Sequence, residues 1–324
     1  MLTRRKTLLG LGGVGLAALS RTASGQQSRN VRLVVPAAPG GAIDAIGRLY
    51  ADRLKDTLGQ TWVIENRAGA SNTLGAAEVA RAAPDGTTLL TNADIHLMAK
   101  HVMRQVPYDP VADFSPVSRL ATSLMVFVGH PGRTPTDLKA LAAEMKAAPD
   151  KHTYSNSGLG AMGHLASASF NNRIGVKAVV VTYRGTAPAL TDVIGGQTTL
   201  MVAPLGSVLQ QIQVGSLRAF AVMSEQRAPQ LPSVPTAAEA GFPGLSFMLW
   251  YGLWGPKGMP TDLVTQLNAA VQAASKHPAL AQKLTALGAE PVTETATAFA
   301  SFLATESIRS AEIAKIAGIT PPEN

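Results

Sequence analysis

The sequence predicts an α/β protein whose largely parallel sheets are covered by helices on both faces. Three observations carry this. Short apolar runs alternate with segments of helical period almost to the end of the chain. Most runs give way to a turn rich in glycine, proline or small polar residues, in a chain holding 30 glycines and 21 prolines. Over 324 residues, 46% are hydrophobic and only 15% charged. That composition supports one large or two medium domains and excludes a disordered or coiled-coil chain.

The elements follow in order. Val31–Val35 reads as a buried strand and leads through a proline-glycine turn, Pro36–Gly41, into a helix over Ala42–Leu58. That helix places Ile46, Leu49, Tyr50, Leu54 and Leu58 on one face, with Arg48, Asp52 and Lys55 elsewhere, and Gly59 ends it. Further strands are expected at Trp62–Glu65, Thr87–Thr91, Leu124–Gly129, His152–Ser155, Ala178–Thr182, Thr198–Val202 and Leu217–Val222. Helices are expected between them at Thr73–Ala82, Pro135–Ala147, Met162–Asn171 and Ala187–Ile194. Ala228–Pro243 holds four prolines and reads as irregular loop around one short helix, Thr236–Ala240. From Thr261 the pattern becomes helix after helix, at Asp262–Ser275, Ala279–Leu287 and Glu294–Ala317, a section suited to packing back over the first domain.

Charge and cysteine content narrow the function. The net charge of +7 is largely an N-terminal property: 28 basic residues less Arg4, Arg5, Lys6 and Arg21 leave 24 against 21 acidic. No basic run with interleaved aromatics follows, so no nucleic-acid partner is expected. With no cysteine, disulfides, thiolate metal sites and a cysteine nucleophile are excluded. The charged start leads into an apolar run, Thr7 to Leu19, and then into Ala23, Ser24 and Gly25, which reads as a secretory signal over residues 1–25. The adjacent arginines resemble a twin-arginine export signal, although Thr7 stands where an aromatic is often found. The expected location is a bacterial periplasm.

Four motifs carry candidate chemistry. Pro39, Gly40, Gly41, Ala42, Ile43 and Asp44 form the first strand-to-helix turn. The helix begins with unpaired amides and a positive dipole end, which accepts an anion. It lacks the lysine of a phosphate loop and the spaced glycines of dinucleotide folds, and a plain turn with a capping Asp44 is the competing reading. "YSNSGLGAMGHLA" offers Ser155, Asn156 and Ser157, bare backbone at Gly158 and Gly160, and His164 in the following helix. A Ser157–His164 hydrolase lacks the G-x-S-x-G elbow and a neighbouring acid. His164 is either a structural histidine or a ligand contact. "VTYRGTAPALTDVIGG" brings Tyr183, Arg184 and Gly185 to a third strand end, where Arg184 either grips a carboxylate bidentately or points to solvent. "TLLTNADIH" ends a strand at Asn92 and Ala93 and continues into Asp94 and His96, too few ligands for a metal. No metal or other cofactor is expected. Ligands of open α/β sheets bind at such carboxyl ends, and neutral donors beside positive helix ends suit a small carboxylate.

Taken together, "VVPAAPGGAIDAIGRLYADRL", "VIENRAGASNTLGAAEVARAAPDGTTLL", "VPYDPVADFSPV", "YSNSGLGAMGHLA", "YRGTAPALTDVIGGQ", "PTAAEAGFPG" and "WGPKGMP" give the chain a resemblance that spans nearly its whole mature length. It resembles the Bug-type solute-binding proteins, the extracytoplasmic receptors of tripartite tricarboxylate transporters. The resemblance implies a type II periplasmic binding protein fold: two Rossmann-like lobes joined by crossing strands, with the ligand cleft between them. It places lobe 1 at 26–122, lobe 2 at 123–249 and a return to lobe 1 with C-terminal helices at 250–324, with crossings near Ser123–Val128 and Phe247–Leu253. It implies a monomeric receptor without catalysis that captures a small organic acid and delivers it to membrane permease subunits. A periplasmic sensor for a membrane signalling partner shares all these residues. One carboxylate is expected at the turn from Pro39 to Asp44, with Ser155–Gly160 and the Tyr183–Gly185 turn contributing from the other lobe. Two residues depart from the family pattern. Ile43 stands where many relatives carry a hydroxyl, and Asp94 where relatives usually have small or hydroxyl residues. An Asp94 facing the cleft is expected to repel a second carboxylate and to favour an ammonium or a hydroxyl.

Overall fold

The computed structural model describes residues 30–183 and 185–319. The export signal read at 1–25, and Arg184, lie outside the described residues. Strand β1 (Val31–Val35) pairs in parallel with β2 (Trp62–Asn66) and β3 (Thr88–Ala93). β9 (Met248–Pro256) runs antiparallel between β3 and the 16-residue β4 (Phe114–Gly129). Beyond β4 come β7 (Leu200–Pro204), β5 (Thr153–Asn156) and β6 (Val179–Thr182), so the order is β2-β1-β3-β9-β4-β7-β5-β6. β8 (Arg218–Val222) and β10 (Ala289–Pro291) also pair with β4.

The long strand joins the two lobes. Its residues Phe114 to Leu124 pair with β9, and Met125 to Gly129 pair with β7, so it leaves one sheet and enters the other. The chain returns beside this point. The Met223 amide donates to Met125 O and the Phe247 amide to Met223 O, both at 2.8 Å, before β9 begins opposite Leu124. The sequence reading starts this strand at Leu124, ten residues late. Its first half carries Pro116 and polar residues, and its register against β9 shifts between Pro116 and Ser118 and between Arg119 and Ala121. Such irregular pairing hides the period-2 signal.

Helix α1 (Ala42–Leu58) buries Ile46, Tyr50 and Leu54, while Leu49 and Leu58 are partly buried against the same core. Gly59, left-handed at φ 64°, stops it and donates to Lys55 O at 3.0 Å. α2 (Thr73–Ala80) and α3 (Ile95–Val102) complete the first lobe before β4. α4 (Leu138–Ala147), α5 (Met162–Ile174), α6 (Thr186–Ile194) and α7 (Leu205–Gln213) clothe the second sheet. α3 and α7 carry no helix expectation above. Thr236–Ala240, expected as a short helix, makes only a turn. Thr236 and Glu239 exchange the two bonds of a capping box, but Gly241 at φ 92° and Pro243 end the segment at once.

The C-terminal section packs back as its apolar pattern suggests. α8 (Thr261–Ser275) lies against α1, and Ser275 Oγ meets the Tyr50 hydroxyl at 2.8 Å. α9 (Pro278–Ala286) precedes β10, and α10 (Ala296–Ile316) packs on α3 and β4. Phe299 of α10 seats against Trp254 and Trp250, ring centroids 5.4 and 6.2 Å apart. Each such fully buried aromatic stabilises the fold by about 1.5–3 kcal/mol.

Candidate ligand-binding site

At the end of β1, Gly40 adopts φ 80°, a left-handed conformation that glycine takes without steric cost, and Gly41 is the extended N-cap of α1. Asp44 does not cap through its neighbours inside the helix. Its Oδ2 accepts the Gly40 amide at 2.9 Å and Arg48 Nε at 2.9 Å, and its Oδ1 accepts Asn66 Nδ2 at 2.9 Å. Burial works to raise the Asp44 pKa, but the bonds from Arg48, Gly40 and Asn66 together outweigh it and hold the carboxyl below its ordinary value. Asn66 also donates to Ala37 O at 3.0 Å, which ties the turn to β2. Asp44 therefore shapes the turn and takes one amide out of use. The amides of Gly41, Ala42, Ile43 and Asp44 remain without an acceptor among the described residues. Pro39 and Gly40 are exposed, and Gly41 to Ile43 are half-buried.

At the end of β3, Asn92 and Asp94 are buried. Asn92 Oδ1 accepts from the Ala93 amide at 2.9 Å and from Asn72 Nδ2 at 3.1 Å. Asn72 is absent from the candidates above. It closes a run of three left-handed non-glycine residues, Ala70, Ser71 and Asn72, at φ 45°, 49° and 69°. Such a run costs roughly 1–2 kcal/mol per residue. The Ala70 carbonyl, which accepts both the amide and the hydroxyl of Thr73, is part of what holds it. The small-residue run "AGASN" is the only trace in the sequence. His96 belongs to no metal set: it is buried against Tyr108, Phe114 and Trp254 and bonds Pro110 O through Nε2 at 3.1 Å. Burial pushes its pKa down to about 3, so it is neutral.

The second lobe contributes a loop braced by its own side chains. Asn156 Oδ1 accepts the Gly158 amide at 2.9 Å, and its Nδ2 donates to Thr182 Oγ1 at 3.2 Å. The carbonyls of Asn156 and Ser157 accept the amides of Tyr183 and Gly185, both at 3.0 Å, which brings the second and third motifs together. Ser155 is fully buried and shares a hydrogen bond with Thr198 Oγ1 at 2.6 Å, so its hydroxyl supports the strand end. The Tyr183 hydroxyl donates to Asp192. His164 Nδ1 accepts the Gly160 amide at 3.1 Å, and burial lowers its pKa, so the neutral ring closes the loop on the helix start. No hydrogen bond joins Ser157 to His164 among the described residues.

The two halves meet at Gly160. A Cβ placed there would lie 2.6 Å from Val102 Cγ2 and 3.3 Å from Met98 Cγ, so the second-lobe loop rests directly on α3 of the first lobe. By contrast, Gly40, Gly158 and Gly185 face open space within 4 Å. An open cavity of about 440 Å³ lined by Arg133, Thr134, Glu144, Lys151 and Thr199 lies elsewhere, toward the amino ends of β5 and β7. Its cations are already engaged, Arg133 by Gly196 O and Lys151 by Glu144.

Two α/β sheets exchanging strands at one crossing, with helix starts and polar loops gathered at strand ends, define a solute receptor of the periplasmic binding protein fold. The chain belongs to the tripartite tricarboxylate transporter receptor family, whose model matches residues 46–319. The solved periplasmic binding protein BugD superposes with a TM-score of 0.84 at 35% identity, covering 91% of this chain and 99% of its own. An adipate-bound protein of R. palustris gives 0.87 at 34%, covering 92% and 100%. The malate-bound MatC of Rhodopseudomonas palustris gives 0.83 at 33%, covering 89% and 99%. Among the described residues, no helix is long and apolar enough to cross a membrane.

Proposed function

We propose that this protein is an exported periplasmic receptor that captures a small organic carboxylate and delivers it, unchanged, to the permease subunits of a tripartite transporter. The carrying observation is the start of α1, where the amides of Gly41, Ala42, Ile43 and Asp44 stand unpaired among the described residues, in a lobe whose helix α3 receives the second-lobe loop at Gly160. Unpaired amides at a positive helix end hold a carboxylate without a lysine or arginine beside it. Asn92, Ala93 and Asp94 extend the site on the first lobe. Ser157, Gly158 and the turn residues Tyr183 and Gly185 close it from the second, with Ser155, Asn156, Gly160 and His164 bracing that loop. The acids bound by the adipate and malate relatives support this class of ligand.

Magnitudes agree. A hydrogen bond to a charged group contributes about 1.5–3 kcal/mol net. Four or five of them, less ordering and closure, reach about −8 kcal/mol, which is micromolar. No step of bond making is required, and closure of lobes 26–122 and 250–324 on lobe 123–249 is itself the signal a membrane partner reads. The receptor works as a monomer.

The test is a thermal-shift screen of small mono- and dicarboxylic acids with the mature protein, repeated on Gly41→Trp. A Cβ on Gly41 meets only Ala38 O at 3.5 Å, so the variant folds while its ring fills the space before the amides. At least one acid is expected to raise the melting temperature of the wild type and not of the variant. A flat response of the wild type to the whole library, or equal shifts in both proteins, defeats the assignment.

A further inference from the structure

Asp94 is fixed by its backbone before its side chain is considered. Its amide donates to Trp250 O at 3.2 Å, and its carbonyl accepts the amides of Leu97 and Met98 at 3.0 and 3.2 Å. The side chain is buried, 5% exposed, and its Oδ2 has no hydrogen-bond partner among the described residues. Beside it Asn92, 0% exposed, commits Oδ1 to Asn72 and Ala93 and leaves Nδ2 unpartnered. Two polar atoms at one strand end, Asp94 Oδ2 and Asn92 Nδ2, are thus buried without a partner among the described residues, which is rare in a native interior and costs about 1–3 kcal/mol for each. We propose that Asp94 acts as an uncharged carboxylic acid which, beside the Asn92 amide, donates a hydrogen bond to the second carboxylate of a dicarboxylate ligand. This rests on the receptor reading above, with the first carboxylate on the α1 amides.

The surroundings decide the protonation state. Glu306 on α10 acts electrostatically on Asp94, and Tyr251 on β9 feels the charge of Asp94 in turn. Glu306 is itself anchored, Oε2 by Trp250 Nε1 at 3.3 Å and Oε1 by Arg309 at 3.2 Å. On Asp94's own helix, His96 is neutral and occupied with Pro110. Burial first and Glu306 second raise the Asp94 pKa to about 8. An ionised Asp94 would favour an ammonium. A protonated Asp94 next to an amide N–H instead presents two donors, and a carboxylate accepts both. This reverses the expectation that Asp94 repels a second acid group. β1 and β3 are hydrogen-bonded neighbours, Leu33 opposite Leu89 and Val34 opposite Leu90. The two turns therefore leave adjacent strands, which lie about 4.8 Å apart where they pair.

The experiment is calorimetric titration of the mature protein with straight-chain diacids from succinate to suberate, their monoacid counterparts, and 6-aminohexanoate, from pH 6 to pH 9.5. A diacid is expected to bind tightest at pH 6, with affinity falling about tenfold per pH unit above pH 8. Asp94→Asn, which keeps a donor, is expected to bind the same diacid within about tenfold and to lose that pH slope. An infrared carboxylic-acid C=O band at pH 7, absent from Asp94→Asn, reports the bound proton without any ligand. Preference for monoacids or for 6-aminohexanoate overturns the proposal, and so does a pH slope that survives in Asp94→Asn. In either case acid binding itself still stands. Failure of every acid to bind at every pH overturns the receptor reading and this inference with it.

Discussion

Two buried carboxyls of the first lobe sit at neighbouring strand ends and shift in opposite directions. Asp44 receives three donors and is held as an anion, whereas Asp94 receives no side-chain donor and faces Glu306. The Arg48 guanidinium is half exposed, so solvent screens its share of the Asp44 interaction, to which the bonds from Gly40 and Asn66 add. Asp44→Asn is expected to destabilise the protein by about 1–3 kcal/mol at pH 7. Because the folded pKa of Asp44 is depressed, its contribution is present above pH 4 and is lost as pH falls through the folded value. Urea denaturation at pH 7 and pH 3 should therefore show the gap between wild type and variant closing at the acid end. A constant gap would mean that Asp44 contributes through shape alone. Residue types were legible in the sequence here, but charge states were not. Gly40 announced a tight turn, since few other residues tolerate its left-handed backbone. Nothing near Asp94 in the chain announced Glu306, which arrives from a helix more than 200 residues later.

Helix α3 is the element that joins the proposed site to the opposite lobe. Asp94 begins it, Val102 ends it, and Met98 and Val102 receive Gly160. His96 pins its other face through Pro110 and the Tyr108–Phe114–Trp254 rings, which gives the "VPYDPVADFSP" segment a structural role. Gly160 stands at φ 78°, and any Cβ there meets Val102. Gly160→Ala is expected to prop the lobes apart and weaken acid binding by about tenfold, or 1.4 kcal/mol. Combining it with Val102→Ala removes the collision and should recover part of the loss. Calorimetry on the two single variants and the double variant reads this directly, and no recovery in the double variant would mean that backbone strain at Gly160 is the whole effect. Helices such as α1 were legible because an apolar stripe and a terminal glycine mark both face and end. α3 was not, because it follows β3 with only Asp94 between them, and the buried run from Leu89 to Ala99 passes from strand to helix without a turn signal. The first half of β4 was lost for the opposite reason, its bulges and Pro116 interrupting the alternation.

At the scale of the molecule, the lobes are distinct as sheets but share an interior. One continuous core contains Leu33, Tyr50 and Tyr251 of the first lobe together with Phe127, Tyr154, Phe170 and Phe220 of the second. The backbone seals the same junction, where Gly206 of α7 lies so close to the turn before β10 that a Cβ would stand 1.7 Å from Leu287 O. Ser123 Oγ adds a bond to Gly288 O at 2.7 Å beside the β4 crossing. A shared core predicts one cooperative unfolding transition. The three tryptophans, Trp62, Trp250 and Trp254, all belong to the first sheet, while circular dichroism reports both lobes. Fluorescence and dichroism are therefore expected to give coincident urea curves with one midpoint. Gly206→Ala, which overpacks the junction, should lower both midpoints together by the equivalent of about 1–3 kcal/mol. If the junction were a mere hinge between independent domains, dichroism would show a second transition invisible to tryptophan, and Gly206→Ala would leave the fluorescence curve in place. Coincidence would also bear on function. Lobes that cannot unfold separately keep their site loops formed while the cleft opens, so a ligand's binding energy goes into closure rather than into ordering the site.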